Sequence, residues 1–322
     1  MGPRERIPKV AEGLREIPGV KLTHRAPLRQ YTRFGIGGEA RMLVDAFTET
    51  GLAAAVDALN AGSERFTVIG GGTNLVASDE GFPGAVLRYM GQTIRVDGTM
   101  VHAGAGAVLQ ELTDLTIAHG LRGLETMTGI PGWVGGAIYG NAGAYGHSIH
   151  ERVESVRYFD GSSIHEMGNA ACEFHYRESI FKRRKNWIVL SVTLRMDLAD
   201  AQELSATAAG ILTIRNEKYP PTMRCAGSIF KNLMYDQLPG AVRAELPERV
   251  IREGKVPSAY FLEQVGAKGT ILGGVRVAAY HANLIYNEGG GTAAQVRALA
   301  AELRHRVRER FGIELEEEVQ FI

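Results

Sequence analysis

Cysteine is nearly absent. The 322 residues hold only Cys172 and Cys225, 53 positions apart and without CxxC spacing. Neither a disulfide framework nor a cysteine zinc site is expected, and such usage fits a reducing compartment. Net charge is also missing, because 36 Lys and Arg cancel 36 Asp and Glu. No global field gathers nucleic acid or an acidic membrane. No apolar run approaches the roughly 20 residues of a membrane-spanning helix. Residues 1–20 mix charges with prolines and lack the apolar core of a signal peptide. The nine histidines show no ligand spacing; His147 and His150 stand three apart without a third partner, so no metal is expected. The basic run 182–185 reads as a solvated loop or hairpin tip. These exclusions leave a soluble cytoplasmic protein with no need of nucleic acid or membrane; nothing in the sequence requires an oligomer, and the oligomeric state stays open. The length suits two or three packed units.

Glycine, by contrast, is abundant, with 40 copies. The stretch Gly129-Ile130-Pro131-Gly132-Trp133-Val134-Gly135-Gly136-Ala137-Ile138-Tyr139-Gly140-Asn141-Ala142-Gly143-Ala144-Tyr145-Gly146 has seven glycines in eighteen residues. Each gives up backbone entropy on folding and packs no side chain. Such a run suits backbone passing close to a large ligand. Two further glycine-rich segments lie beside strands: Gly70-Gly71-Gly72-Thr73-Asn74 and Thr32-Arg33-Phe34-Gly35-Ile36-Gly37-Gly38. The triplet allows successive N–H groups to converge on an anion, with Thr73 and Asn74 adding donors; a plain turn is the other reading. One extended ligand such as a dinucleotide accounts for all three segments together.

Along the chain, periodicity predicts strands over 40–45 and 66–69, with a helix over 48–60 between them. Short strands over 86–88, 93–96 and 100–103 and a helix over 108–119 follow. A hairpin is expected over 153–159 and 163–167 across Asp160-Gly161, then a strand over 187–196. Composition shifts near Asp197, where an Ala/Leu/Ile helix runs to 218 before Pro220-Pro221. Helices are expected over 237–253 and 258–264, and strands around 275 and over 282–287. The last helix spans 292–310, where Thr292 and Gln295 make a capping box.

The string Gly123-Leu124-Glu125-Thr126-Met127-Thr128-Gly129-Ile130-Pro131-Gly132, leading into Val134-Gly135-Gly136-Ala137 and Asn141-Ala142-Gly143-Ala144-Tyr145-Gly146, resembles the UDP-N-acetylenolpyruvoylglucosamine reductase family. The likeness covers about residue 31 to the C-terminus. It implies a pyrophosphate loop at Gly70, Gly71, Gly72, Thr73, Asn74 and Leu75. It also implies a flavin lining at Thr128, Gly129, Pro131, Gly135, Gly136, Asn141, Ala142, Gly143 and Ala144. The family's Tyr-Arg-x-Ser arginine is matched by Tyr176-Arg177-Glu178-Ser179. Its Ala-Gly-Ser-x-Phe-Lys-Asn serine is matched at Ser228, and Lys231 and Asn232 are candidates for the nucleotide phosphates, with a surface-loop role as the alternative. Its C-terminal glutamate is matched by Glu318 in Leu315-Glu316-Glu317-Glu318-Val319. Leu233 stands where the family usually has proline. The short interval from Arg177 to Ser228 resembles the branch lacking an inserted tyrosine-bearing loop. His281 and Asn283 are candidates for the substrate cleft, with burial in a sheet as the alternative.

The resemblance implies an α+β fold: a two-subdomain FAD-binding region of the vanillyl-alcohol-oxidase/PCMH type over residues 1–198, and a smaller substrate domain over 199–310. A segment over 311–322 would return Glu318 to the active site. It further implies FAD bound, NADPH as hydride donor, and reduction of an enolpyruvyl ether on a nucleotide sugar. Charge then builds on a carboxylate, which a planar guanidinium suits; removing such a contact typically costs about 3–4 kcal/mol of barrier. Ser228 would protonate the neighbouring carbon, and Glu318 would act protonated or paired with Arg177. Gly135→Val is expected to remove flavin retention before folding. Another flavin enzyme of the same fold, oxidising a sugar or lactone, is the alternative, and a non-catalytic nucleotide-binding module a more distant one.

Overall fold

The computed structural model describes residues 9–322, so positions 1–8 of the N-terminal stretch lie outside the described residues. The chain divides into two compact units. Unit 1 takes the residues up to Ala26, Ala40–Gly71 and Phe82–Asn216; unit 2 takes Pro27–Glu39, Gly72–Gly81 and Glu217–Ile322.

Unit 1 holds two sheets. The first has the order Val20–Pro27, Glu39–Ala46, Phe82–Tyr89, Phe66–Val68, with both pairings of Phe82–Tyr89 parallel. The helix Glu49–Ala61 starts where Thr48 Oγ1 accepts the Gly51 N–H at 3.0 Å. Its 3.6-residue period puts Leu52, Val56 and Leu59 against Met42, Val44 and Leu87. The second sheet is antiparallel, ordered Ile164–Gly168, Val153–Phe159, Ile188–Arg195, Met100–Gly104, Ile94–Asp97. The expected hairpin is present, pairing Val156 with Met167 and Phe159 with Ile164. Asp160 Oδ1 fastens its turn by accepting the Ser162 and Ser163 N–H groups, each at 2.8 Å. Leu109 and Leu112 of the helix Leu109–Ala118 pack with Val156, Val192 and Leu194 of this sheet.

A helix, Val134–Tyr139, occupies the middle of the glycine-rich stretch. Each glycine in a helix costs about 1 kcal/mol, and the sequence reading places no helix there. Close fit offsets that cost: Val134 N–H donates to the Ala107 carbonyl (2.9 Å) and Gly135 N–H to that of Ala105 (2.8 Å). Val134 and Ile138 are buried in the same core.

The expected boundary at 198/199 falls elsewhere. Helix Ala201–Lys218 packs Leu204 and Ala208 on Ile117, and unit 1 continues to Asn216.

In unit 2 the strands Ile271–Leu272, Val275–Val277 and Ile285–Asn287 form an antiparallel sheet. Helices Ser258–Gln264 and Ala293–Phe311 bury Phe261, Val296, Leu299 and Leu303 in one core with Phe230 and Ile285. The Thr292–Gln295 capping box forms. The helix expected over 237–253 is instead a turn Tyr235–Gln237, a short helix Gly240–Glu245 and a turn Glu248–Val250. Pro239 and Pro247 each sit before a new start, because proline lacks the N–H that would continue a helix. The strand expected from 282 begins at Ile285, since Leu284 N–H closes a turn onto the His281 carbonyl.

Candidate active-site residues

In unit 1, Gly70 and Gly136 face a common opening. A Cβ built on Gly70 would meet only Gly136 N, at 3.9 Å, and one on Gly136 would meet nothing within 4 Å. Gly135 differs, since its Cβ would lie 2.8 Å from that of Ala105. That glycine packs the helix, so the Gly135→Val expectation is corrected: valine strikes the core first. Gly71 lies against Trp133, and Arg88, bound through two contacts to Asp45 (2.6 and 2.9 Å), stands 5.6 Å over the Trp133 ring. The hydroxyls of Thr126 and Thr128 are buried without a hydrogen-bond partner. Orphaned buried hydroxyls fit a polar ligand that would satisfy them. Gly129 N–H donates to Gln110 Oε1 at 2.6 Å, and Pro131 is exposed.

The rest of the glycine-rich stretch seats Arg177. Asn141 is buried and left-handed, with φ +42°. Its Nδ2 donates to the His175 carbonyl (2.8 Å) and its Oδ1 accepts from His150 N–H (3.3 Å). The Asn141 side chain is therefore a latch within the protein. His175 and Glu178 exchange backbone hydrogen bonds of 3.0 and 3.1 Å around the Tyr176-Arg177 turn. Arg177 has φ +58°, a conformation that costs a non-glycine residue about 1 kcal/mol. Its Nη2 donates to the Gly143 carbonyl at 2.9 Å. Ser179 Oγ donates to the Tyr139 carbonyl at 2.7 Å. Lys182 Nζ donates to the Arg177 carbonyl (2.8 Å) and pairs with Glu178 (3.2 Å). Lys182 thus belongs to this turn, not to a solvated run. Ala142 accepts from Ile149 N–H, and Gly143–Ala144 pairs with His147–Ser148.

Unit 2 carries the other reactive candidates. The chain after Ser228 runs antiparallel to the C-terminal acidic segment: Phe230 pairs with Glu317, Glu318 N–H donates to the Ile229 carbonyl (2.7 Å), and Lys231 N–H to that of Glu316 (2.9 Å). The residue after Ser228 is therefore bonded to Glu318 through its backbone. The C-terminus is anchored as well. Gln320–Phe321 pairs in parallel with Leu75–Val76, and Asn74 Nδ2 donates to the Glu318 carbonyl at 3.0 Å. Leu75 and Asn74 thus brace the segment bearing Glu318. Gly72 closes on the Tyr31 carbonyl, where a Cβ would overlap it; Thr73 follows in the same turn.

Lys231 Nζ forms an ion pair with Glu316. Asn232 precedes the strand Leu233–Met234, which pairs with Lys255–Val256, so Leu233 begins a ladder that proline could not supply with an N–H. Asn283 is buried, and its side chain is spent internally: Nδ2 donates to the Phe230 carbonyl (2.8 Å) and Ser258 Oγ (2.7 Å), and Oδ1 accepts from Phe230 N–H (2.9 Å). For Asn283 burial replaces the substrate contact. Burial, with Lys218 nearby, pushes the His281 imidazole down to about 4. Its Nδ1 accepts the Asn283 N–H at 3.2 Å. Tyr219, passed over in the sequence, places its hydroxyl 3.3 Å from Ser228 Oγ; adjacency to a proline pair was its only signal. Among the described residues no helix is long and apolar enough to cross a membrane.

Residues 40–165 match the FAD binding domain family, and residues 219–322 match "UDP-N-acetylenolpyruvoylglucosamine reductase, C-terminal domain". The chain is 57% identical over 306 residues to the UDP-N-acetylenolpyruvoylglucosamine reductase of Solibacter usitatus, covering 95% of this chain and 98% of that one. With that of Rubrobacter xylanophilus it shares 35% over 310 residues, 96% and 97% of the two chains. The crystal structure of UDP-N-acetylenolpyruvylglucosamine reductase from Thermus caldophilus matches with a TM-score of 0.73 at 28% identity, covering 94% of this chain and 98% of that one. An α+β chain with an FAD-binding domain and this C-terminal domain, alike over nearly its whole length to these enzymes, belongs to the UDP-N-acetylenolpyruvoylglucosamine reductase family of FAD oxidoreductases.

Proposed function

We propose that this chain reduces the enolpyruvyl ether of UDP-N-acetylglucosamine-enolpyruvate to UDP-N-acetylmuramate with NADPH as the hydride source, in the cytoplasmic synthesis of peptidoglycan precursor. The observation that favours the reading is the pairing of residues 229–231 with 316–318, which runs the segment just after Ser228 alongside the segment bearing Glu318. FAD would be held in unit 1 by the open backbone at Gly70 and Gly136 and by the Thr128 hydroxyl, and when bound it supplies hydride to the terminal enolpyruvyl carbon. Unit 2 is the substrate unit in this reading.

Arg177 answers the charge that develops on the substrate carboxylate. Its guanidinium never loses its proton and matches a carboxylate in plane. A fixed cation lowers the barrier most when it is oriented beforehand, and the Gly143 carbonyl together with the Asn141-braced turn supplies that orientation. Ser228 delivers a proton to the carbon next to the carboxylate. Glu318 is the third reactive residue in this reading. Lys231 contributes to phosphate binding by exchanging its exposed partner Glu316 for a phosphate.

The test is Ser228→Ala in FAD-loaded protein. Flavin reduction by NADPH should be unchanged, while UDP-N-acetylmuramate formation falls by about 100-fold or more, as for loss of a positioned acid. Product formation at the wild-type rate would overturn the role of Ser228.

A further inference from the structure

We propose that Tyr219 is the positioning and proton-relay residue behind Ser228, an inference that rests on Ser228 being the proton donor. Tyr219 follows the helix Ala201–Lys218 directly, and Pro220 then ends helical continuation. Its ring is gripped from several sides. Lys218 Nζ lies 5.1 Å over the ring, and the His281 ring lies 6.3 Å away, tilted 45°. The same ring packs on the buried cluster of Cys225, Ala278 and Leu284. A phenol held this way points its hydroxyl at one place, 3.3 Å from Ser228 Oγ. Among the described residues Tyr219 is the hydrogen-bond partner of that oxygen. The separation exceeds the usual O–H···O distance, as catalytic contacts often do before substrate tightens them.

The nearby imidazole cannot take this part. Burial, with Lys218 nearby, pushes His281 down to about 4, so at neutral pH it is a neutral imidazole, whose remaining N–H is a far weaker acid than a phenol. Lys218 faces the ring of Tyr219, not the serine.

Proton transfer balances as follows. The electron pair of the enolate-like intermediate forms a C–H bond with the Ser228 proton, and the Oγ–H bond breaks. Oγ then takes the phenolic proton of Tyr219, and the phenolate recovers one from water. An aliphatic alcohol is a poor acid and its oxyanion is costly to leave unpaired in a partly buried place. A phenol is the stronger acid, so the second transfer is downhill and draws the first along. Net, one proton from solvent reaches carbon.

Tyr219→Phe tests this, because it keeps the ring and removes only the hydroxyl. FAD-loaded, NADPH-reduced protein is mixed with enolpyruvyl-UDP-N-acetylglucosamine, and flavin reoxidation is followed in H2O and D2O beside Ser228→Ala. The relay requires reoxidation at saturating substrate to slow by about tenfold or more, in line with losing a general acid–base partner. The solvent isotope effect should grow, with substrate affinity and flavin reduction unchanged. In flavin-free protein, Ser228→Ala should also shift the 13Cζ resonance that disappears in Tyr219→Phe. Wild-type reoxidation in Tyr219→Phe with a slow Ser228→Ala overturns the relay and leaves Ser228 as donor. A loss confined to substrate affinity overturns it too. Fast reoxidation in Ser228→Ala removes the donor, and the relay falls with it.

Discussion

At the scale of single residues, the left-handed pair Asn141 and Arg177 concentrates backbone strain where the chain presents its guanidinium. Strain of this kind persists only when neighbours over-determine it. Here the amide of Asn141, the hydroxyl of Ser179 and the ammonium of Lys182 each pin part of the turn. The glycines divide just as sharply. Gly136→Ala should raise the flavin-free thermal midpoint slightly, since alanine is the better helix former by up to about 1 kcal/mol, and weaken FAD binding, because its Cβ enters open space. Gly135→Val should do the reverse, lowering stability by about 1–3 kcal/mol through overpacking against Ala105. Melts of flavin-free protein and FAD titrations check both; wild-type FAD affinity in Gly136→Ala removes that residue from the lining. The sequence displayed these residues without their directions. Asn141 and Gly135 stood in motif positions that read as lining the flavin, and Asn283 was open between the cleft and burial; each makes contacts within the protein itself. Only the fold reveals which way an amide points.

At the scale of elements, the helix Ala293–Phe311 shows what was legible and what was not. Its capping box and apolar stripe were local and readable, and its left-handed stop at Gly312 (φ +66°) is an ordinary helix ending. Its second cap was not readable, because it comes from far away. Asp79 Oδ1 accepts the Ala293 N–H at 2.7 Å and Oδ2 the Ala294 N–H at 2.9 Å, across 214 residues of chain. A carboxylate on these first N–H groups satisfies orphan donors and the helix dipole together. Asp79→Ala should therefore cost about 1–2 kcal/mol in denaturant unfolding; an unchanged midpoint would show that Thr292 suffices. The short helix Val134–Tyr139 escaped notice for the opposite reason, since its support is two backbone carbonyls, at Ala105 and Ala107, that no periodicity records. The broken helix near Pro247 was legible in principle, and the proline should have outweighed the composition.

On the scale of the whole molecule, unit 2 is assembled from three separated stretches of chain. Phe34, Ile36 and Val76 are buried in its core alongside Phe230, Phe261 and Val296. A composition-based boundary could not see this, because residues 27–39 and 72–81 lie within a region that otherwise forms unit 1. Residues 217–322 expressed alone lose those three buried side chains and the strand partner of Gln320–Phe321. Such a fragment should lack a cooperative thermal transition by circular dichroism; a sharp, native-like melt would show that the two inserted stretches are dispensable. The strand formed by residues 320 and 321 also fixes an order of events during synthesis. Asn74 and Glu318, joined across 244 residues, can meet only after nearly all of the chain has left the ribosome, and long-range closures of this kind form late. Unit 1 has all its residues while unit 2 still waits for its final strand. A nascent chain thus carries its C-terminal glutamate into place last, and in the reading proposed above an unfinished copy lacks that group.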